Sequence, residues 1–195
     1  KILNMIVENF ADKDVEAASK IAHLVWGELY THESKKLQKL IYDFMVKYYD
    51  LNRKYSFALH NDDFKGFILT NTKFDKNDSV KSFKEEAKLL DAKEQKTAVE
   101  LADYLEACGK EVKAVMQEND IMIGLFISCQ KGGGKMLLSK LIETCRSNNI
   151  KNIYLWTDTT CDYDYYQKNK FTLVKEIKSN INSKNIDTLI FKKEV

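Results

Sequence analysis

Three of the chain's seven glycines stand side by side at Gly132, Gly133 and Gly134, and the 195 residues include no proline. Just before them, Ile121–Ser128 is a nearly continuous apolar run, the pattern of a strand covered on both faces. Just after them, Leu137, Leu138, Leu141, Ile142 and Cys145 recur at helical spacing, which predicts a helix over about 135–148. A glycine triplet concentrates backbone freedom at one turn. The segment is thus a buried strand, a tight turn and a helix, and Ile153–Thr157 supplies the next strand. A strand–helix–strand unit of this kind implies a parallel pair joined by a right-handed crossover.

The remaining elements build a sheet around that unit. Residues 2–9 read as a short strand around Ile6 and Val7, followed by a helix through Val15, Ala18, Ile21, Ala22, Val25 and Leu29 that Asp12 or Asp14 could cap. A second amphipathic helix is expected over about 33–51, with Leu37, Leu40, Ile41, Phe44 and Tyr48 on one face. Tyr55–His60 and Lys65–Thr70 form a hairpin with a polar turn between them, and 71–82 is a polar loop. The stretch 83–118 is rich in Ala, Glu, Lys and Leu, which favour helix, with a break expected near Asp91 or Gly109. Asp162–Asn169 is a short aromatic helix. Phe171–Ile177 and Asp187–Lys192 close the chain as an antiparallel pair around the polar loop Ser179–Asn185. The hairpins at both ends make the sheet mixed, and the fold class is α/β. No repeat, linker or low-complexity tract divides the chain, so residues 1–195 read as a single domain.

Composition narrows the function classes. The formal charge is +2, with lysines and acids interspersed, so no global field points to a nucleic-acid partner. No apolar stretch approaches the ~20 residues that span a bilayer. Cys108, Cys129, Cys145 and Cys161 form no close pair and lie far in sequence from His23, His32 and His60, so no metal site is expected. Four reduced thiols are the expectation for a cytoplasmic protein.

A helix that starts at a glycine turn presents unpaired N–H groups and the positive end of its dipole, and glycines let an anion approach without meeting a Cβ. Lys131 and Lys135 add charge at the rim. A Walker loop would need Gly at 129 and Ser or Thr at 136, where this chain has Cys129 and Met136. A dinucleotide fingerprint would need Gly at 137, where it has Leu137. On these residues alone, a turn that binds nothing stays open beside an anion site.

Cys129-Gln130-Lys131-Gly132-Gly133-Gly134 resembles the Q/R-x-x-G-x-G/A pyrophosphate loop of the GNAT (Gcn5-related N-acetyltransferase) superfamily. Gly132 and Gly134 fall on its two small positions, while Cys129 departs from its Gln or Arg and Gln130 stands beside it. Tyr165-Tyr166-Gln167-Lys168-Asn169-Lys170-Phe171 resembles the family's F-Y-x-K-x-G-F signature, with Lys170 in place of Gly. Leu155–Cys161 resembles a variant in which Thr159 takes the position of a common Asn. The likeness is strongest over about 121–178, and the extra helical segment before the glycine-bearing strand looks like an elaboration of the usual core.

The resemblance implies a GNAT-like fold: a central mixed sheet flanked by helices, and transfer of an acetyl group from acetyl-coenzyme A to an amine. The strands ending near Ser128 and Thr157 would splay, with the pantetheine arm pairing to Phe126, Ile127 and Ser128. The pyrophosphate would lie on the N–H groups of Lys131–Lys135, with Gln130 and Thr159 nearby. Tyr166 matches the family's tyrosine acid, and a phenol stays protonated at neutral pH. Tyr165 is expected in the core. Asp158, Glu118 and Asp120 are all open as the base. The acceptor is a small-molecule or peptide amine, and the protein a monomer or homodimer. A catalytically silent acyl-coenzyme A binder and a partner-binding role for 83–118 remain as alternatives.

Overall fold

The computed structural model describes residues 4–178, 180–181 and 184–195. Strand β1 (Ile6–Asn9) is followed by α1 (Asp12–Trp26), a 3-10 turn at Gly27–Tyr30 and α2 (Lys35–Tyr49). The hairpin β2 (Phe57–Asn61) and β3 (Asp63–Thr72) leads into α3 (Ser79–Ala87) and α4 (Ala92–Val115). Then come β4 (Asp120–Ser128), α5 (Gly133–Ser147), β5 (Asn152–Asp158), α6 (Asp164–Lys168) and β6 (Thr172–Ile177). A small ladder of β7 (Asn180–Ile181) with β8 (Lys184–Asn185) precedes β9 (Thr188–Glu194). Residues 2–3 of the expected first strand, and 179 and 182–183 of the expected Ser179–Asn185 loop, lie outside the described residues.

Seven strands form one sheet in the order β1-β2-β3-β4-β5-β9-β6. Among the described residues only β4 and β5 run parallel; every other pairing is antiparallel. The alternation of side chains along each strand sorts the core into two layers. Phe67, Leu69, Met122, Tyr154 and Ile190 meet Ala18, Ile41, Phe83, Ala102 and Leu105 from α1, α2, α3 and α4 on one face. Phe57, Ile68, Ile121, Leu155 and Phe191 meet Leu137, Leu141 and Cys145 of α5 on the other. Each fully buried Leu or Ile contributes on the order of 1.5–3 kcal/mol.

Local chemistry sets the boundaries, and several depart from the sequence expectation. The cap of α1 is Ala11, not Asp12 or Asp14. Asp14 instead sits three residues in and accepts the Ala11 N–H at 2.9 Å. Helix α2 starts at Ser34, whose hydroxyl accepts the Leu37 N–H. The 83–118 stretch breaks at Asp91, which caps α4 by accepting the Glu94 N–H at 2.9 Å. It does not break at Gly109, which lies buried inside α4 against the Tyr48 hydroxyl. Helix α5 begins at Gly133, two residues before the expected Lys135.

Candidate active site

Pairing between β4 and β5 covers only Asp120–Ile123 against Asn152–Leu155. Beyond that, β4 runs on to Ser128 with β3 as its only strand partner among the described residues, and β5 runs on to Asp158 with β9 as its partner. The two central strands therefore separate from Gly124 and Trp156 onward. At ~3.3 Å per residue the opened edges extend roughly 10–17 Å. The edge of β4 over Phe126, Ile127 and Ser128 that faces β5 is left without a strand partner among the described residues, as the expected splay requires.

The vertex is shaped by a bulge. The β3–β4 register shifts between Leu69 and Thr70, whose partners are Leu125 and Ile123, so Gly124 is the extra residue. It reverses the alternation: Ile121 and Ile123 face α5, whereas Leu125 and Ile127 join the layer under α1–α4. Only glycine fits there, because a Cβ on Gly124 would lie 2.0 Å from Tyr49 Cδ1.

At the open end of β4 the glycines have three distinct duties. Gly132 adopts φ 82°, a left-handed conformation, and caps α5. Gly133 is buried, and a Cβ there would meet Leu59 Cδ2 at 2.3 Å and Ser128 Oγ at 2.5 Å, so its duty is close packing. Gly134 faces the cleft, with the Tyr165 hydroxyl 3.2 Å and Phe126 Cζ 3.6 Å from where its Cβ would be. The turn is held by Gly133 N–H to the Gln130 carbonyl at 2.9 Å and by the Ser128 hydroxyl donating to that carbonyl at 3.1 Å. Gly134 and Lys135 lie in the first helical turn, where N–H groups have no carbonyl four residues back to reach. Lys131 and Lys135 are exposed at the rim, as is Cys129, whose N–H bonds to the Lys65 carbonyl.

The far wall comes from α6. Tyr165 packs edge-on to Phe126 across the cleft, ring centroids 5.8 Å apart, and its hydroxyl is buried with no hydrogen-bond partner among the described residues. Tyr165 is therefore more than the core aromatic that the sequence implied. Tyr166 packs against Tyr165, Phe171 and Phe191. Burial, with the Cys161 thiol alongside, pushes its phenol well above the ordinary tyrosine value. Lys170, in the place of the signature's glycine, adopts φ 65°, so the left-handed turn is made with a lysine.

Structures of N-acetyltransferases share this fold over nearly their whole length. Ard1 from Thermoplasma volcanium superposes with a TM-score of 0.58 at 16% identity, covering 98% of this chain and 97% of that one. A protein from Desulfovibrio desulfuricans described as an acetyltransferase of the GNAT family gives 0.57 at 10%, covering 97% and 98%. The ribosomal-protein-S18-alanine N-acetyltransferase of Escherichia coli gives 0.55 at 12%, covering 98% and 94%. The chain has the GNAT fold. No protein-family model matches its sequence, and no curated protein matches it.

Within this GNAT fold the expected site residues separate. Phe126, Ser128, Gln130, Lys131, Gly132, Gly134 and Lys135 gather at the open end of β4 and the start of α5, with Ile127 and Gly133 buried beside them, and Tyr166 belongs to α6 on the opposite wall. Thr159 has its N–H on the Asp187 carbonyl at 3.1 Å, and its hydroxyl accepts the Asp187 N–H at 3.3 Å, so it ties β5 to the start of β9. Asp120 is fully buried at the beginning of β4, accepting the Gln117 N–H and the Asn152 side chain. It and Glu118 stand at the end of the strands opposite the glycine turn, which removes both as bases. Asp158, at the open end of β5, stays. His60 lies 3.2 Å from Asp14 on β2, three strands from β5. Among the described residues no group of three or more His, Cys, Asp or Glu side chains is placed to hold a metal ion, and no helix is long and apolar enough to cross a membrane.

The sequence reading missed Gly124, although an isolated glycine inside an apolar strand is the recognised sign of a bulge or a close backbone approach. It also missed the Tyr165 hydroxyl, which carries no sequence signal beyond its motif position.

Proposed function

We propose that the chain is an N-acetyltransferase domain that moves an acetyl group from acetyl-coenzyme A to an amine. The observation that carries this is the coincidence of the β4–β5 splay with a left-handed glycine cap at its mouth. The residues fit the cofactor: a helix start with free N–H groups suits a pyrophosphate, and the orphaned Tyr165 hydroxyl over Gly134 lacks only a polar partner. On this reading Lys131–Lys135 hold the pyrophosphate, with Gln130 beside them, and the unpaired edge of Phe126–Ser128 pairs with the pantetheine amides. The thioester supplies an activated acyl carbon and a thiolate leaving group.

The protein's part is orientation and proton management. Burial disfavours the Tyr166 phenolate, so this phenol holds its proton more tightly than an ordinary tyrosine. On this reading Tyr166 is the acid that gives its proton to the departing sulfur. Thr159, already bonded to Asp187, shapes the β5 edge of the cleft.

Thermal unfolding with acetyl-coenzyme A, and with ATP and NAD as controls, tests the reading. At ~100 times its dissociation constant a specific ligand adds about 2.7 kcal/mol. The expected result is an upward shift with acetyl-coenzyme A alone, lost in Gly134→Glu, with Tyr166→Phe keeping the shift but losing thiol release toward amines. No shift at millimolar acetyl-coenzyme A sinks the proposal.

A further inference from the structure

Three buried polar atoms without hydrogen-bond partners among the described residues gather at the vertex of the splay on its helical face. They are the Tyr49 hydroxyl of α2, the Tyr104 hydroxyl of α4 and the Trp156 indole nitrogen of β5. Tyr49, 2% exposed, packs its ring against Gly124, and Trp156 is the first residue of β5 beyond the last parallel pair. Tyr104 meets the Trp156 ring edge-on with centroids 5.5 Å apart. Tyr49 faces Trp156, and Tyr104 faces Cys108 and Thr188, near enough to feel one another yet without hydrogen-bond geometry. An unmet buried polar group costs on the order of 1–3 kcal/mol, so three together, contributed by three elements, mark a place that lacks a partner.

The surroundings state what partner fits. Asp158 follows Trp156 by two residues and so emerges on the same face of β5. Its Oδ1 accepts the Thr160 N–H at 2.8 Å, which fixes the carboxylate. Burial first, and this carboxylate after it, hold the Tyr104 phenol and the Cys108 thiol above their ordinary values, the thiol pushed up to about 11, so Asp158 lies within electrostatic reach of α4. Glu106 acts likewise on Tyr48. Lys175, the nearby cation, is already paired with Glu111 at 2.6 Å. Cys108 and Thr188 close the floor, Sγ to Oγ1 3.9 Å apart and both buried. The setting is aromatic, enclosed and negative.

We propose that this vertex seats the acceptor, and that the acceptor is a slender, unbranched primary alkylamine carrying positive charge and no carboxylate. This rests on the acetyl-transfer reading above. The ammonium donates to the Tyr49 and Tyr104 hydroxyl oxygens and lies against the Trp156 ring rather than its N–H, and Asp158 balances its charge and receives its proton. In the transfer, the ammonium first gives one proton to Asp158, the neutral nitrogen bonds to the acyl carbon, the carbon–sulfur bond breaks toward sulfur, Tyr166 protonates sulfur, and the second nitrogen proton returns through solvent to the Tyr166 phenolate. Tyr104 stands on α4, which enters between β3 and β4, so the added helices set the acceptor class.

The test uses n-butylamine, 1,4-diaminobutane and 4-aminobutyrate, slender amines that differ in their terminal charge. In Trp26→Phe, Trp156 is the single tryptophan and its fluorescence reports amine binding without cofactor. The expected result is a saturable change with the first two amines and none with 4-aminobutyrate, and the same order in thiol release with acetyl-coenzyme A. Asp158→Asn should raise KM for 1,4-diaminobutane roughly tenfold or more, while the acetyl-coenzyme A thermal shift stays. Tyr104→Phe, which keeps the ring, should lower kcat/KM with the same shift intact. Equal or better use of 4-aminobutyrate, or an unchanged KM in Asp158→Asn, overturns the acceptor assignment while acetyl-coenzyme A binding stands. Absence of the acetyl-coenzyme A shift overturns the transfer reading instead. A fluorescence response confined to the cationic amines would then still support the amine site.

Discussion

Replacing Gly124 with alanine puts a methyl group 2.0 Å from Tyr49 Cδ1 and 2.7 Å from Cγ, far inside contact distance. The ring cannot swing away freely. It is 2% exposed and held edge-on by Tyr48 with centroids 4.8 Å apart. Overpacking of this kind costs typically 1–3 kcal/mol, and a ring held on two sides points to about 2 kcal/mol. For a domain of this size that lowers Tm by roughly 4–8 °C. A double-mutant cycle isolates the contact. Tyr49→Leu removes the ring and carries its own penalty. In that background, however, Gly124→Ala should cost less than about 0.5 kcal/mol, leaving a coupling of about 1.5–2 kcal/mol. Urea denaturation of the four proteins supplies every term. If Gly124→Ala is neutral in the wild type, or equally costly in the Tyr49→Leu background, then Tyr49 does not rest on the bulge. The account of the vertex would fail with it.

Lys170 adopts φ 65°, and a left-handed residue with a Cβ costs roughly 1–2 kcal/mol. Lys170→Gly should therefore gain about 0.5–1 kcal/mol after its own entropy loss, whereas Lys170→Ala gains nothing; equal gains in both would assign the effect to charge. Cys145 is fully buried, and burial pushes its thiol from 9 up to about 12. The folded state thus holds this proton more tightly, so the stability is intact below pH 9 and lost as pH rises toward 12. Between pH 8 and 10.5 this amounts to about 2 kcal/mol, and urea midpoints of Cys145→Ala should fall less over that interval than those of the wild type. Parallel falls would refute it.

Most of the sheet is legible in the sequence because its signals are local. The nearly continuous apolar run of Ile121–Ser128 announces a strand covered twice, and β4 is indeed sandwiched between α5 and the α1–α4 layer. The glycine triplet announces the turn, and Asp91 announces the start of α4 through its cap. Start points are less legible. Gly133 and Gly134 have poor helix propensity, yet both enter α5: at Gly133, packing on Leu59 and Ser128 leaves no room for a Cβ, and at Gly134 a Cβ would crowd the Tyr165 hydroxyl at 3.2 Å. Asp14 reads as a cap from sequence because a capping carboxylate at the third position and one at the first give the same cue.

The acceptor side is illegible for a different reason. Tyr49, Tyr104 and Trp156 lie far apart in sequence, and each fits the periodic pattern of an ordinary core aromatic in its own segment. What distinguishes them is that their polar atoms find no partner among the described residues once α2, α4 and β5 come together, a property of three elements at once. The same holds for the acids. Asp120 and Asp158 bracket the central strand pair symmetrically in sequence, at the start of β4 and the end of β5. Parallel pairing gives both strands a common direction, so one carboxylate is sealed at the paired end and the other stands at the open end. Direction, rather than residue type, decides which of them can meet an incoming amine.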